Sequence, residues 1–409
     1  MASPAPPFPD APAAPPCSSD ASPFMEAQVT LPDHLTEDIL LRLTTAADLA
    51  RASMAGPSLR RLIADHSFLR RFRTLHPPPL LGILSDPFLP AQPPHPSAAA
   101  ARSLAGTDFS CSFLPSREQL WIRHDFRDGR ALLCVAPDDR CLVTDVAVCD
   151  PLHRRYLLLP PVPQDLSDLV YYCEPFLAPA GGDEVPADAP FRFRVMCLAK
   201  YQTQLVIFVF SSSGPHAGQW HAVAFDGWST LVAGIRDAAL SSTAFGKRYH
   251  AHGCFCWAIP VIGKLLMLDI ATMEFSSVDL PPSPWSNYQM AFVEARQGRL
   301  GLFAVSHNRL LYSISGSIED DPRLWLMGAV VPLSLDYAYD IIGVAGGYLL
   351  LHGYPDSPES SFELPEPDCF SLDLQTMKLE WFCETGWIMP LKNQLLYAGF
   401  PSSLSPPTI

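Results

Sequence analysis

The chain has 409 residues, 48% of them hydrophobic and 17% charged, so it is long enough to bury a sizeable core in more than one domain. Its formal net charge of −14 makes general binding to phosphate backbones unfavourable, and no nucleic-acid partner is expected. Proline occurs 43 times, about twice the average usage, which excludes long uninterrupted helices and favours many short elements.

The sequence shows no targeting or membrane segment. Its N-terminus lacks the basic start and continuous apolar region of a signal peptide, and no apolar run approaches the ~18 residues of a membrane span. The eleven cysteines are scattered and form no CxxC pair, so free thiols are expected. These features predict a protein of the cytoplasm or nucleus that has no membrane partner.

Residues 1–28 are rich in Pro, Ala and Ser and contain few apolar groups that could pack, so they are predicted to be a disordered tail. Residues 29–76 have a helical pattern. Pro32 stands at a predicted helix start, followed by acidic residues that suit the positive end of the helix dipole. Apolar residues spaced by four positions form one stripe, which two further leucines widen: Leu35, Ile39 and Leu43, with Leu31 and Leu40.

The rest of this segment predicts two or three more short helices. Thr45 and Asp48 resemble a capping box, Pro57 marks a second start, and Ser67 is predicted to cap the last helix. Three prolines at 77–79 end it. Because so small a domain is marginal alone, we expect it to complete its core against a partner helix.

Together these residues resemble an F-box. The family pattern runs Leu-Pro-x-x-Leu, Ile-Leu-x-x-Leu, an Asp-Leu helix and a helix ending near Phe-Leu. The matching residues are Leu31, Pro32, Leu35, Ile39, Leu40, Leu43, Asp48, Leu49, Phe68 and Leu69. Two departures occur: Thr44 and Thr45 replace the usual proline, and "MAGPSLRR" replaces the common Val-Cys-x-x-Trp segment, with Leu59 as the candidate for the aromatic position.

The resemblance implies that this helical face binds a Skp-type adaptor, and through it a cullin. The implied adaptor-binding residues are Leu31, Pro32, Leu35, Ile39, Leu40, Leu43 and Leu49. The alternative interpretation is that these leucines only pack the helices against one another. The basic stretch of Arg70, Arg71 and Arg73 is interpreted as a solvated helix face, since three positive charges within an acidic protein make a poor nucleic-acid site.

The signal changes to strands after residues 77–106, a Pro-rich hinge with a first strand. Residues 107–400 contain short β-rich runs broken by turn residues, and residues 401–409 form a tail. The predicted strands are RALLCVA, CLVTDVAVCD, FRFRVMCLA, QLVIFVFS, QWHAVAFD, GCFCWAI, KLLMLDI, RLGLFAVS, RLLYSIS, LWLMGAVV, YLLLHGY, CFSLDL and KLEWFCE. This pattern predicts an α-then-all-β, multidomain chain.

A weak repeat refines the β prediction. Apolar residues, an Asp, a short turn and a further strand recur around Asp150, Asp269 and Asp373, with intermediate copies near 219–227 and 323–331. The period is near the ~40–50 residues of a propeller blade, which predicts a β-propeller of roughly six blades, with a terminal strand able to close the ring. Residues 164–190 are interpreted as an inserted loop; a large β-sandwich is the alternative.

The stretch "RYHAHGCFCWAIP" places His250, His252, Cys254 and Cys256 at alternate positions. Alternation predicts one face of one strand, along which the first and last of these would lie ~20 Å apart. Because zinc donors sit ~2.0–2.3 Å from one ion, this strand cannot supply all four, and no metal site is expected. The sequence also contains no GxSxG, GxxxxGK or GxGxxG motif, so no catalytic residue and no cofactor are predicted.

The layout is similar to plant F-box proteins, notably those of grasses, with kelch-like or F-box-associated propellers. That resemblance implies a non-enzymatic substrate receptor of an SCF-type ubiquitin ligase, which takes part in protein ubiquitination by holding an unidentified client protein on its propeller. Two alternatives stay open: a propeller enzyme, such as a hydrolase or oxidase, and an F-box protein that acts outside degradation or has lost the adaptor. An enzyme would bring carboxylates, or His and Tyr ligands, together at the channel mouth.

Overall fold

The structure is a computed structural model. It describes residues 31–43, 46–76, 78–104, 106–115, 120–135, 145–163, 170–179, 193–201, 203–233, 245–281, 289–316, 325–355, 366–386 and 394–400. The predicted tails at 1–28 and 401–409, and the predicted cap at Thr45, lie outside the described residues. No helix in the described part of the chain is long and apolar enough to span a membrane.

The N-terminal part of the described chain is helical. Four short helices follow one another: α1 (Asp33–Leu40), α2 (Ala46–Met54), α3 (Pro57–Ile63) and α4 (His66–Leu75). Pro32 and Pro57 stand at the starts of α1 and α3, as predicted, because a proline at a helix start gives up no hydrogen bond. The cap of α4 differs from the prediction: the Asp65 carboxylate, not Ser67, accepts the N–H groups of Ser67 and Phe68, at 2.8 and 3.1 Å.

The remainder is a six-bladed β-propeller with two further short helices, α5 (Ala98–Ala101) and α6 (Trp228–Leu231). Blade 1 contains β3 (Ile122–Arg127), β4 (Arg130–Val135), β5 (Asp145–Asp150) and β6 (Arg155–Leu159). Blade 2 contains β7 (Val170–Ala178), β8 (Arg194–Tyr201), β9 (Leu205–Ser211) and β10 (Trp220–Ala224). Blade 3 contains β11 (Arg248–Ala251), β12 (Cys254–Ile259), β13 (Lys264–Asp269) and β14 (Phe275–Asp279).

Blade 4 contains β15 (Met290–Glu294), β16 (Leu300–Ser306), β17 (Arg309–Ser315) and β18 (Trp325–Pro332). Blade 5 contains β19 (Tyr337–Ala345), β20 (Tyr348–Pro355), β21 (Asp368–Asp373) and β22 (Leu379–Glu384). Blade 6 contains β1 (Leu80–Leu84), β2 (Leu89–Pro90) and β23 (Leu395–Ala398). Each blade is an antiparallel sheet, and these sheets confirm the predicted propeller in preference to a sandwich.

The ring closes through its two ends. In blade 6 the C-terminal β23 pairs with the N-terminal β1, with Ile83 opposite Leu396 and Leu84 opposite Leu395. This arrangement confirms the predicted closure by a terminal strand. Contacts from one blade to the next run through β3, β7, β11, β15, β19 and β23, so these six innermost strands form the wall of a central channel.

The predicted repeat corresponds to a structural repeat. Asp150, Asp269 and Asp373 each end the third strand of a blade, and each carboxylate caps the turn to the fourth strand. The backbone N–H groups that donate are His153 to Asp150 at 3.1 Å, Ala271 to Asp269 at 2.8 Å and Gln375 to Asp373 at 2.7 Å. An aspartate is favoured there because its short side chain can accept the N–H groups of its own turn.

One segment predicted as a loop contains a strand. The segment 164–190, interpreted as an inserted loop, contains β7, the innermost strand of blade 2. Its residues from Val170 to Glu174 are partly exposed and mostly polar or aromatic, which is why they did not resemble a buried strand.

The helical core includes one residue from the far end of the described chain. Phe400, two positions after β23, is buried among Leu49, Phe68 and Phe72, and its ring centroid lies 6.1 Å from that of Phe72. We expected the helices to complete their core against a partner helix. The propeller's own C-terminal end supplies part of that core, which links the helices to the closing blade.

Candidate functional sites

An apolar stripe on α1 faces solvent. Leu31, Leu35 and Ile39 are 53%, 42% and 53% exposed, and Pro32 is exposed beside them. Leu35 and Ile39, four residues apart, lie on one face of α1, and Leu31 precedes the helix, which begins at Asp33. Large apolar groups aligned outside the core of so small a module are typical of a docking surface.

The structure divides the predicted adaptor-binding residues into two groups. Leu40 and Leu49 are buried in the helical core with Leu62 and Phe68, and Leu43 is half-buried against that core. The surface of α1 therefore offers Leu31, Pro32, Leu35 and Ile39, while the buried leucines hold the helices together. Packing of the helices against one another accounts for the buried leucines and leaves the exposed ones without an intramolecular role.

The stripe is held in place by the polar side of α1. Arg71 of α4 pairs with Glu37 at 2.9 Å and with Asp38 at 3.4 Å, and Arg61 of α3 pairs with Asp33 at 3.1 Å. These pairs are largely exposed, so each contributes only ~0–1 kcal/mol, but together they fix which side of α1 faces the other helices.

The structure also describes the stretch "MAGPSLRR", which departs from the F-box pattern. Leu59, the candidate for the aromatic position, packs against the helical core as a half-buried residue. Met54 is 70% exposed. Thr44 and Thr45 lie outside the described residues.

The stretch of alternating His and Cys is a hairpin, not one strand. His252 and Gly253 form the turn, with φ of +49° and +74°, and β11 and β12 pair Tyr249 with Cys256 and His250 with Phe255. The prediction of one strand was wrong because the alternation continues through the turn. His250 and Cys256 therefore point to opposite faces of the sheet, and Cys256 is buried as an apolar residue would be.

A charged network joins the innermost strands of blades 1 to 3. The guanidinium of Arg248 pairs with Asp125 at 2.8 Å and with Glu174 at 2.5 Å, and it lies over the ring of Phe176 at 4.2 Å. Arg248 and Asp125 are each 9% exposed in their side chains. The three charged residues come from β11, β3 and β7, so the network connects three blades at the channel wall.

Both carboxylates of this network have further donors. Glu174 accepts the indole N–H of Trp257 at 2.7 Å and the Tyr172 hydroxyl at 2.9 Å. Asp125 accepts the backbone N–H of Leu177 at 2.8 Å. These bonds compensate the cost of burying the charges.

Lys247 extends across the channel. Its ammonium donates to the carbonyl of Ile342, in blade 5, and to that of Gln394, beside β23, at 3.4 Å. Burial lowers the pKa of this lysine to about 8, and the nearby Arg248 acts in the same direction. The lysine therefore links blade 3 to blades 5 and 6.

A cleft of about 370 Å³ opens where blade 1 meets blade 6. Leu84, Ile122 and Trp121 supply apolar surface, and Asp86 and Arg123 are its charged residues. The Arg123 guanidinium is already engaged, since it donates to the carbonyl of Leu84 at 2.9 Å and to that of Phe109. The cleft lies at the end of the channel opposite the β3–β4 turn.

The sequence analysis did not identify the channel residues. Asp125, Glu174 and Arg248 are far apart in sequence and carry no motif. Arg248 opens the stretch predicted as one strand, but neither Asp125 nor Glu174 lay in a predicted strand, so no signal short of the fold could have brought the three together.

Buried histidines should make the propeller sensitive to acid. Burial and the nearby Arg127 lower the pKa of His250 to about 4, and burial lowers that of His124. In the unfolded chain these histidines take up a proton near pH 6.5. The stability that their burial contributes is therefore complete above that pH and is lost as the pH falls towards 4. We expect His250→Asn to reduce this loss by about 1–2 kcal/mol, a value discounted for partial exposure.

Thermal unfolding measured from pH 7 to pH 4 tests this expectation. The matched control is His307→Asn, at an exposed turn with φ of +53°, where asparagine is tolerated. The control should keep the wild-type dependence on pH. An unchanged dependence in His250→Asn would contradict the assignment.

No protein-family model matches the sequence, and no curated protein matches it. The chain is similar to apo AztD from Citrobacter koseri, with 15% identity and a TM-score of 0.31, over 68% of this chain and 63% of that protein. It is similar to YCF48 from Cyanidioschyzon merolae, with 9% identity and a TM-score of 0.36, over 65% and 73%. For apo prolyl oligopeptidase B from Galerina marginata the values are 10% and 0.33, over 64% and 33%. The chain thus spans less than two thirds of the length of AztD. The number of blades is taken from the six sheets of this chain alone.

Proposed function

We propose that the chain is the substrate-recognition subunit of an SCF-type ubiquitin ligase. The helices α1 to α4 act as an F-box that binds a Skp-type adaptor and, through it, a cullin. The propeller holds a client protein. The observation that carries the proposal is the exposed stripe of Leu31, Leu35 and Ile39, in a segment whose sequence resembles the F-box pattern.

The exposed stripe suits a helical partner. A helix that presents apolar groups at i and i+4, here Leu35 and Ile39, with Leu31 just before its start, packs into an apolar groove between partner helices. Its polar side is engaged by Arg61 and Arg71, so the same surface is offered whenever the module is folded.

Such a receptor acts by proximity. Holding the client beside the charged conjugating enzyme raises the effective concentration of client lysines and replaces a bimolecular encounter with an intramolecular one. None of the receptor's own side chains takes part in a covalent step. The buried carboxylates Asp125 and Glu174, already bonded to Arg248, agree with a structural role.

The double variant Leu35→Asp, Ile39→Asp should abolish co-purification of the full-length chain with a Skp-type adaptor and cullin. Burying two carboxylates in a desolvated apolar interface costs free energy, and no partner charge compensates that cost, so binding is lost. Because both residues are exposed, the fold should survive, which circular dichroism and thermal unfolding would verify.

The matched control is Met327→Asp, which places a charge on a 67% exposed apolar residue of β18, far from the helices in sequence. It should retain the adaptor. If the folded wild-type chain fails to bind, the proposal is wrong, and the departures at Thr44, Thr45 and "MAGPSLRR" become the first explanation to test. Adaptor binding without any effect on client turnover would indicate an F-box protein that acts outside degradation.

A further inference from the structure

Arg127 is an arginine with no acceptor. It ends β3 at the channel wall, where its side chain is only partly exposed. No hydrogen bond or ion pair joins its guanidinium to any residue in the described part of the chain, and its Nε is both buried and unpartnered. An arginine is seldom buried to this extent without a partner, because the guanidinium is always charged and can only donate.

A second basic residue, His250, lies close to it. The Arg127 guanidinium lies 5.6 Å from the ring centroid of Phe255, and the His250 ring lies 5.4 Å from the same centroid. His124, two residues before Arg127 on β3, is near Arg248. The Nε2 atoms of both histidines are buried and have no partner among the described residues.

The neighbouring carboxylates do not satisfy this group. Asp125 and Glu174 are engaged by Arg248 and by the donors described above. Glu294 accepts the backbone N–H of His252 at 2.8 Å and is exposed. Asp128 is exposed in the β3–β4 turn. The acids therefore moderate the local charge without supplying the acceptor that Arg127 lacks.

Solvent reaches part of this cluster. Of the three Arg127 nitrogens, only Nε is both buried and unpartnered, so the two terminal nitrogens remain open to solvent. His124 and His250 are also partly exposed. A small molecule that enters from the channel can thus meet the end of the guanidinium first.

We propose that Arg127, with His250 beside it, forms a binding site for a small oxyanion, a phosphate or a carboxylate, in the central channel. A planar guanidinium with free donors matches the oxygen pair of such groups, and a charge-assisted bond gains strength away from bulk water. A cation would be repelled by Arg127 and Arg248. This inference rests on the channel alone and is independent of adaptor binding.

The first test uses inorganic sulfate and inorganic phosphate with the full-length chain. Isothermal titration is run at constant ionic strength, with chloride as the balancing anion. We expect saturable binding to the wild type and a loss of roughly tenfold or more in Arg127→Met, since a hydrogen bond to a charged group is removed. Arg127→Gln, which keeps a polar side chain, serves if the methionine variant does not fold.

The matched control is Arg154→Met. Arg154 also lies over a phenylalanine ring, Phe113 at 5.3 Å, but it is exposed and outside the channel. The Arg154→Met variant loses the same charge as Arg127→Met, and its affinity for sulfate should stay within about twofold of that of the wild type. Equal losses in both variants would indicate nonspecific attraction and overturn the proposal, as would the absence of binding to the folded wild type.

A second readout is the pH dependence of sulfate binding between about pH 8 and pH 4, because sulfate keeps its charge over this range while His250, whose pKa is lowered to about 4, takes up a proton towards its acid end. His250 faces Arg127 and Asp128 from blade 1, Glu294 from blade 4 and Arg248 on its own strand. A bound anion favours the imidazolium, so affinity should rise as the pH falls. His250→Asn should flatten this rise, and an unchanged rise would exclude His250 from the site.

Discussion

Replacing Arg248 with methionine is expected to lower the free energy of unfolding of the propeller by about 3–5 kcal/mol. Asp125 and Glu174 would remain at the channel wall without the cation that compensates them, and removing one partner of a buried pair costs far more than the pair itself contributes. Methionine retains most of the side-chain volume over Phe176, so little of the loss comes from packing. Chemical denaturation of the full-length chain measures the effect.

A compensating variant separates charge from packing. Arg248→Met combined with Asp125→Asn and Glu174→Gln removes all three charges and should recover part of the stability, because no uncompensated carboxylate is left. Arg154→Met, which removes a largely exposed pair with Asp108, should cost at most about 1 kcal/mol. If Arg248→Met is as mild as this control, the network is not what joins blades 1 to 3.

Phe400→Ala is expected to unfold the helices while leaving the propeller folded. The ring is buried against Phe72 in a core made by short helices, and loss of a buried phenylalanine ring costs about 3–5 kcal/mol. So small a module has little stability to lose. Hydrogen exchange, followed by mass spectrometry, should show protection lost in α2, α3 and α4 and kept in the blades.

Phe400→Leu is the control, since a large apolar side chain should retain most of the protection. The alanine variant should also lose any adaptor binding, although Phe400 is far in sequence from the exposed stripe. Unchanged exchange in α4 would mean that the helices hold together without the C-terminal end of the chain.

The helical site was predictable in outline. The leucine spacing and the two prolines are local features, so they indicated α1, α3 and the stripe that includes Leu35 and Ile39. The division between exposed Ile39 and buried Leu40 was not predictable, because neighbouring leucines in an amphipathic helix look alike until the other helices are placed. Phe400 carried no signal, since its partners are in α2 and α4, at the other end of the sequence.

The strand prediction failed in a systematic way. The innermost strands β3, β7, β15 and β23 were absent from the predicted strands, whereas the second and third strands of blades 1 to 5 were among them. Middle strands are buried on both faces between neighbouring blades and are therefore continuous in apolar residues, as in RALLCV of β4. Innermost strands line the channel, so they carry polar residues, as in IRHDFR of β3.

The sequence by itself determined the class of each segment, the capped turns at Asp150, Asp269 and Asp373, and the propeller with about six blades, because these depend on periodicity and on bonds within a few residues. Only the tertiary structure decided which residues share the channel. Arg248, Glu174 and Asp125 meet because closure of the ring brings three strands together, and the acceptor that Arg127 lacks is evident only once its neighbours are in place. Long-range contacts of this kind have no local pattern, since each residue's partner is set by the fold as a whole.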